Sequence, residues 1–229
     1  MKFDKYTLKA RIYPSVIILL PFLVFTINCN IDDLRNVFDN LLKVRIIGNI
    51  SVSIVLLFLF TQVNRFIGKF LFEKYMFKNE TEMPTTNFML YSNSEFSNEY
   101  KNKVREQIKF DFQITLPGEQ DENDDLLYAK KRIVEAIGLV RQKVKNGRLL
   151  LQHNIEYGFM RNLIGGSIFG FIMSLVIIIH FNTTSKEFIS YIGYGLGFFY
   201  FILLIFHRLI IRYLGNQYAR RLFQEYLQN

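Results

Sequence analysis

Four long stretches of the chain contain no Asp, Glu, Lys or Arg, and they dominate its pattern of hydrophobic and polar positions. These stretches are residues 13–28, 46–64, 163–181 and 188–207. A helix of about 20 apolar residues crosses a hydrocarbon core roughly 30 Å thick. The pattern therefore predicts an all-α, polytopic membrane protein with four transmembrane helices arranged as two hairpins.

The first apolar stretch follows several basic residues, as a signal peptide would. It lacks a small-x-small cleavage site, because Asn28-Cys29-Asn30 follows it directly. We therefore expect a retained helix, so that residues 1–64 form an N-terminal hairpin of spans. Residues 163–207 form the second hairpin, and residues 208–229 form a basic tail helix.

The central segment, residues 65–162, is predicted to be a mainly helical cytoplasmic domain. Ser94 or Ser97 can cap a helix that runs to about Phe112. Apolar residues at helical spacing predict a second helix from Leu126 to about Lys145. Between them, the acidic run 119–125 is predicted to be a solvated loop whose last Asp caps the second helix.

The distribution of Lys and Arg predicts the orientation of the chain in the membrane. Basic residues exceed acidic ones in residues 1–12, 65–162 and the tail, whereas the connections 29–45 and 182–187 are balanced. The positive-inside rule then places both termini and the central domain on the cytoplasmic side of the membrane. The net charge of +8 lies mostly beside the spans, which favours anionic lipid headgroups over nucleic acid as the partner.

The sequence contains no recognisable catalytic, nucleotide-binding or metal-binding pattern, and it has one cysteine. We therefore predict no catalytic residue, no metal and no cofactor. One alternative is open: Arg148 and His153 have the R-x4-H spacing of HEPN-type ribonucleases, in which the His would act as acid or base.

The segment that leads into the third span, residues 148–166, is unusually polar. Charges at a membrane boundary are costly unless paired, so an ion pair such as Glu156 with Arg161 is expected. The segment is either a hinge or gate between the domain and the spans, or an interfacial anchor. The candidate gating residues are Asn154, Glu156, Tyr157, Arg161 and Asn162.

Two pairs of glycines, each four residues apart, lie inside the third and fourth spans. They are Gly166 with Gly170 and Gly193 with Gly197. Small residues at this spacing let helix backbones approach closely. The pairs predict close packing of spans, either within one chain or between the subunits of a homo-oligomer.

Three blocks of the sequence resemble a family of small, uncharacterised four-span bacterial membrane proteins that is associated with anti-phage defence loci. The blocks are KYTLKARIYPSVIILLP, MPTTNFML and NIEYGFMRNLIGG. Relatives often carry Trp-Gly-Gly before the Pro-Thr-Thr block, where this chain has residues 80–83 and no Trp. The resemblance implies a defence role and no catalytic residue, and it marks Pro84, Thr85 and Thr86 as candidate partner-binding residues.

These observations favour a non-enzymatic membrane protein whose cytoplasmic domain receives a signal or a soluble partner. Its spans would then oligomerise or perturb the membrane. The alternatives are a membrane scaffold for a soluble enzyme, a small channel or transporter, and the ribonuclease described above. A coupled transporter usually carries ionisable residues within its spans, and no Asp, Glu, Lys or Arg lies within the four stretches here.

Overall fold

The computed structural model describes residues 4–28, 47–78, 80–145, 147–184 and 186–228, and all regular secondary structure within them is helical. The predicted all-α class is therefore confirmed for these residues. In chain order the helices are α1 (Tyr13–Asn28), α2 (Ile47–Ile67), α3 (Pro84–Asn87), α4 (Asn98–Phe112), α5 (Glu119–Asp124), α6 (Leu126–Lys143), α7 (Arg148–Thr183), α8 (Glu187–Ile205) and α9 (His207–Gln228). A π-helical segment, Thr7–Ile12, precedes α1. A second π-helical segment, Gly68–Lys74, follows α2 and leads into the helical turn Tyr75–Phe77.

Three stretches of helix are long and apolar enough to cross a membrane: Thr7–Asn28, Leu149–Thr183 and Glu187–Ile205. They coincide with the first, third and fourth predicted spans, and their length and composition are compatible with a membrane protein. The second predicted span lies on α2 and remains a prediction. The 29–45 connection lies outside the described residues.

The predicted caps of the two longest helices of the central segment are confirmed. Ser97 Oγ accepts a hydrogen bond of 3.2 Å from the amide of Tyr100 at the start of α4. Asp125 Oδ1 accepts one of 2.9 Å from the amide of Tyr128 at the start of α6. Each side chain satisfies an amide that has no partner within its own helix.

The prediction of a solvated loop over residues 119–125 is wrong, because Glu119–Asp124 forms α5. Acidic residues in a first turn are favourable at the positive end of a helix. In addition, the amide of Gly118 donates to Asp121 Oδ2 at 2.7 Å. Glu122 is buried. A run of acidic residues does not predict this burial, because the sequence does not show which residue pairs with Glu122.

The described residues form two compact units. Unit 1 comprises Met1–Lys69 and Phe159–His207, and unit 2 comprises Phe70–Gly158 and Arg208–Asn229. Unit 2 has its own apolar core, to which α9 contributes four side chains. The core residues are Phe88, Met89, Leu90, Val104, Ile108, Leu116, Ile133, Ala136, Ile137, Val140, Val144, Leu150, Ala219, Leu222, Phe223 and Tyr226.

Candidate functional site

The start of α7 is capped by a carboxylate that comes from α9. Glu225 Oε1 accepts hydrogen bonds from the amides of Leu149 and Leu150, both at 3.0 Å. The first amides of a helix lack intrahelical partners and carry partial positive charge, so a carboxylate stabilises them. A Cβ on Gly147 would collide with this carboxylate. The glycine before α7 is therefore required for the cap.

Of the candidate gating residues on the unit 2 part of α7, Glu156 bonds to neighbours on the same helix. Glu156 Oε1 accepts from Gln152 Nε2 at 3.1 Å, and Glu156 Oε2 lies 3.6 Å from His153 Nδ1. Asn154 and Tyr157 are half-buried. The described contacts of Glu156 are thus those of a helix-surface carboxylate.

The two remaining gating candidates, Arg161 and Asn162, are buried in unit 1. Asn162 Nδ2 donates to the carbonyl of Ala10 at 2.7 Å, which joins α7 to the segment before α1. A Cβ on Gly68 would lie 2.6 Å from the carbonyl oxygen of Arg161. Both residues therefore lie where helices pack closely.

A close approach between α7 and the end of α2 depends on Gly165 and Gly68, two glycines outside the predicted pairs. A Cβ on Gly165 would lie 2.6 Å from the nitrogen of Gly68 and 2.7 Å from the carbonyl oxygen of Asn64. These are backbone atoms, which cannot move aside as a flexible side chain can. Gly68 lies just beyond the apolar stretch, so a search for glycine pairs within spans misses it.

The four glycines predicted to pack spans lie against residues of the same chain. A Cβ on Gly166 would collide with Ile18, and one on Gly170 would lie 2.8 Å from Tyr200 Cζ. A Cβ on Gly193 would lie 2.8 Å from Ile177 Cγ2. At Gly197 the nearest atom would be Ser174 Cβ at 3.5 Å, which is ordinary contact. Three of the four positions therefore have no room for a side chain.

Tyr200 links three helices of unit 1 at a single point. Its ring packs against Gly170 of α7, and it is fully buried. Its hydroxyl donates to the carbonyl of Ile17 at 2.7 Å. This carbonyl would normally accept from the amide four residues later, which is Pro21 and has no N–H. Tyr200 therefore satisfies the acceptor that the proline inside α1 leaves free.

The candidate partner-binding residues Pro84, Thr85 and Thr86 are buried inside unit 2. Thr85 Oγ1 accepts from Arg141 Nη2 at 3.1 Å. Thr86 Oγ1 donates to the carbonyl of Glu80 at 2.8 Å. These three residues, which begin α3, therefore pack against α6 in the interior of unit 2 and are not on its exposed surface.

A buried polar cluster around Arg105 was not predicted from the sequence. Arg105 Nη1 donates to the carbonyl of Pro117 at 2.5 Å, and Nη2 lies 3.4 Å from Glu122 Oε1. Both carboxylate oxygens of Glu122 accept from the amide of Tyr91 at 2.9 Å. Burial lowers the pKa of Arg105 and of the neighbouring Lys101. The cluster therefore joins α4 and α5 to the segments that precede each of them.

A second polar cluster joins α4, α6 and α9. Asp111 Oδ2 lies 2.6 Å from Lys143 Nζ and accepts from the Tyr226 hydroxyl at 2.7 Å. The hydrogen bond from Lys143 holds the pKa of Asp111 below its ordinary value. Burial, with the bond to Asp111, raises the pKa of Tyr226.

The described residues contain no group of three or more His, Cys, Asp and Glu side chains that could hold a metal ion. His153 is half-buried beside Glu156, and the side chain of Arg148 is not among those described. No family model, curated protein or solved structure matches the chain. Unit 1 thus contains a set of close helix contacts, and unit 2 contains the carboxylate cap at the start of α7.

Proposed function

We propose that the chain is a non-enzymatic protein of the bacterial inner membrane whose unit 2 lies in the cytoplasm and receives a signal or a soluble partner. Four spans then respond by oligomerising and perturbing the bilayer, as a component of anti-phage defence. Three long apolar helices support residence in a membrane. The resemblance in three sequence blocks is the support for defence.

The observation that carries the proposal is that one uninterrupted helix belongs to both units. α7 has 36 residues, which corresponds to about 54 Å at 1.5 Å per residue. Its first turn is bonded to Glu225 of α9 in unit 2, and its later part contributes Gly165 and Gly170 to the contacts of unit 1. A partner that moves α9 therefore acts on the first turn of α7, the helix whose later residues belong to unit 1.

The contacts of α7 in unit 1 make its position there sensitive to small shifts. At Gly170 the Tyr200 ring leaves no space for even one added carbon. Closely packed interfaces respond to such shifts by changing between discrete arrangements rather than by deforming gradually. The contact of α7 with α8 is thus the part of the bundle that we expect to control its response.

The test is membrane potential in bacteria during titrated expression, followed with a potential-sensitive dye. We expect the wild-type chain to lower the potential and Gly170→Leu to abolish the effect, because leucine cannot fit against Tyr200. Gly195→Leu is the matched control, since a Cβ on Gly195 meets nothing within 4 Å. Membrane fractionation verifies that all three proteins are inserted equally.

Equal loss of potential in the wild type and both variants would contradict a controlling role for the contact between α7 and α8. An unchanged potential in all three would contradict the membrane-perturbing response itself. In that case a pull-down in mild detergent tests the alternative of a scaffold that holds a soluble enzyme.

A further inference from the structure

The side of α6 that faces away from the core of unit 2 begins with two large apolar side chains. Leu127 and Tyr128 are each 56% exposed. The opposite side of the helix, which carries Ile133, Ala136 and Val140, is buried in the core. Burial of that side holds α6 in unit 2, and it leaves more than half of Leu127 and of Tyr128 uncovered.

Gly138 lies on the same outward side of α6. It follows Leu127 by eleven residues, which is about three turns of an α-helix, so the two positions are aligned. A Cβ on Gly138 would meet nothing within 4 Å. Glycine destabilises the interior of a helix relative to alanine, and the packing of the described residues does not require it here. An exposed glycine does, however, let the backbone of a second helix approach closely.

The charge of unit 2 changes sign along α6. The exposed carboxylates of Asp121 and Asp125 lie before its first residue, and the exposed lysines Lys143 and Lys145 lie at and beyond its end. Two copies of α6 that lie antiparallel place the acidic end of each beside the basic end of the other, and their helix dipoles are opposed. Parallel copies would place like charges together. The charges therefore favour a second copy in antiparallel orientation.

An antiparallel pair whose two-fold axis lies at the height of Ile133 brings complementary features together. Residues equally distant from Ile133 along the two helices then face each other. Tyr128 and Gly138 are each five residues from Ile133, so the ring of each tyrosine faces the exposed glycine of the other copy. Lys131 and Glu135 are each two residues from Ile133 and are exposed, so opposite charges face each other twice.

We propose that the outward side of α6, from Leu127 to Gly138, binds the same side of α6 in a second copy of the chain. The tyrosine ring occupies the space beside the glycine, and the facing charges set the register. Glu135 Oε2 lies 2.9 Å from Arg132 Nη1 of its own helix, and a carboxylate has room to accept from a second cation. A different protein would have to supply a glycine, a ring and both charges in this order, whereas a second copy carries all of them.

The inference goes beyond the proposed function, since it concerns association through unit 2 and holds whether or not the spans perturb a membrane. The test follows the mass of the purified full chain in mild detergent by light scattering over a dilution series. We expect the wild type to dimerise and Gly138→Leu to weaken dimerisation at least about tenfold, because leucine takes the space of the Tyr128 ring. The variant should keep its fold, since leucine is a good helix former and meets no atom there. The matched control is Gln224→Leu at an exposed position of α9, which should dimerise like the wild type.

Two single charge reversals test the antiparallel register. Lys131→Glu places two carboxylates opposite each other at both contacts, and Glu135→Lys places two ammonium groups there. Each variant alone should dimerise at least about tenfold more weakly than the wild type. A mixture of the two variants should recover dimers, because all facing charges are then opposite. Different affinity tags on the two variants reveal the mixed dimer in a pull-down, and contacts within one chain cannot produce it.

A dimer that Gly138→Leu leaves unchanged would overturn the proposal and indicate contacts elsewhere, such as the spans. Equal weakening in Gln224→Leu would overturn it as well. A wild type that stays monomeric at every concentration would also overturn it and leave this side of α6 to a different protein. Failure of the two charge variants to associate with each other would overturn the register. Circular dichroism checks the fold of each variant, and if Gly138→Leu is unfolded, the mixture of charge variants decides.

Discussion

Replacing Tyr200 by Phe removes one hydroxyl and leaves the carbonyl of Ile17 without its donor. In the wild type this hydroxyl donates at 2.7 Å, and Pro21 has no N–H to offer in its place. The Phe ring fills the same volume against Gly170. Tyr200→Phe therefore isolates the hydrogen bond from the packing of the ring.

The expected loss of stability is about 1 kcal/mol. A buried acceptor left unsatisfied costs about 1–3 kcal/mol in proteins. Hydrogen bonds measured inside membrane proteins average about 0.6 kcal/mol and reach about 1.7 kcal/mol, because the unfolded state in the membrane finds other partners. The smallest cost of an unsatisfied buried acceptor and the strongest hydrogen bonds measured inside membrane proteins both lie near 1 kcal/mol or slightly above.

A double-mutant cycle with Pro21→Ala tests the cause of this loss. An alanine at position 21 supplies the missing N–H, which can donate to the carbonyl of Ile17 as in a regular α-helix. In that background Tyr200→Phe should cost distinctly less than it does alone, by about 0.5 kcal/mol or more. The cycle separates satisfaction of the carbonyl from any general effect of the hydroxyl.

Unfolding of the purified chain by sodium dodecyl sulfate in mixed micelles, followed by circular dichroism, gives the four free energies. Tyr191→Phe is the matched control, because Tyr191 lies on the same helix and is 67% exposed. An equal cost of Tyr200→Phe with and without Pro21, or a cost equal to that of Tyr191→Phe, would refute this reasoning.

Two further predictions concern unit 2. Glu225→Gln weakens the cap of α7 by about 1 kcal/mol, so hydrogen exchange at the amides of Leu149 and Leu150 should become about fivefold faster. The hydrogen bond from Lys143 holds the folded pKa of Asp111 below its ordinary value of 3.8, so its stabilising effect is complete above that ordinary value. It is lost as the pH falls through the folded pKa, and Asp111→Asn should therefore reduce the acid dependence of stability, measured by chemical unfolding at a series of pH values.

Each of these has an exposed acidic residue of unit 2 as its control. Glu99→Gln should leave exchange at the start of α7 unchanged, and Asp124→Asn should leave the acid dependence unchanged. Unchanged exchange in Glu225→Gln would show that the cap does not hold the first turn of α7. An acid dependence that is the same in Asp111→Asn and wild type would exclude the pair with Lys143 as its source.

Local features of this fold were predictable because their causes lie within a few residues. Ser97 and Asp125 cap helices that begin immediately after them, and the apolar stretches predict helices by length alone. The prediction of a loop over residues 119–125 was wrong because the contacts that fix this segment are distant in sequence. Glu122 is fixed by Arg105 and by the amide of Tyr91, and neither partner is adjacent in sequence.

The contacts of the candidate site are still more distant. Glu225 caps a helix that begins more than 70 residues earlier, and no local pattern connects the two. Pro21 did give a usable signal, because a proline inside a span leaves a carbonyl without its usual amide donor, and a polar side chain of a neighbouring helix is one way to satisfy it. The sequence offers several tyrosines in the spans, however, and only the packing of α8 selects Tyr200.

Unit 2 consists of two separate parts of the chain, and this limits when its core can form during synthesis. Its core needs Ala219, Leu222, Phe223 and Tyr226 of α9, which are synthesised after all of α7 and α8. Until then the core residues of α4 and α6 lack this cover, and the first turn of α7 lacks its carboxylate. The last two apolar helices therefore leave the ribosome before unit 2 can complete its core.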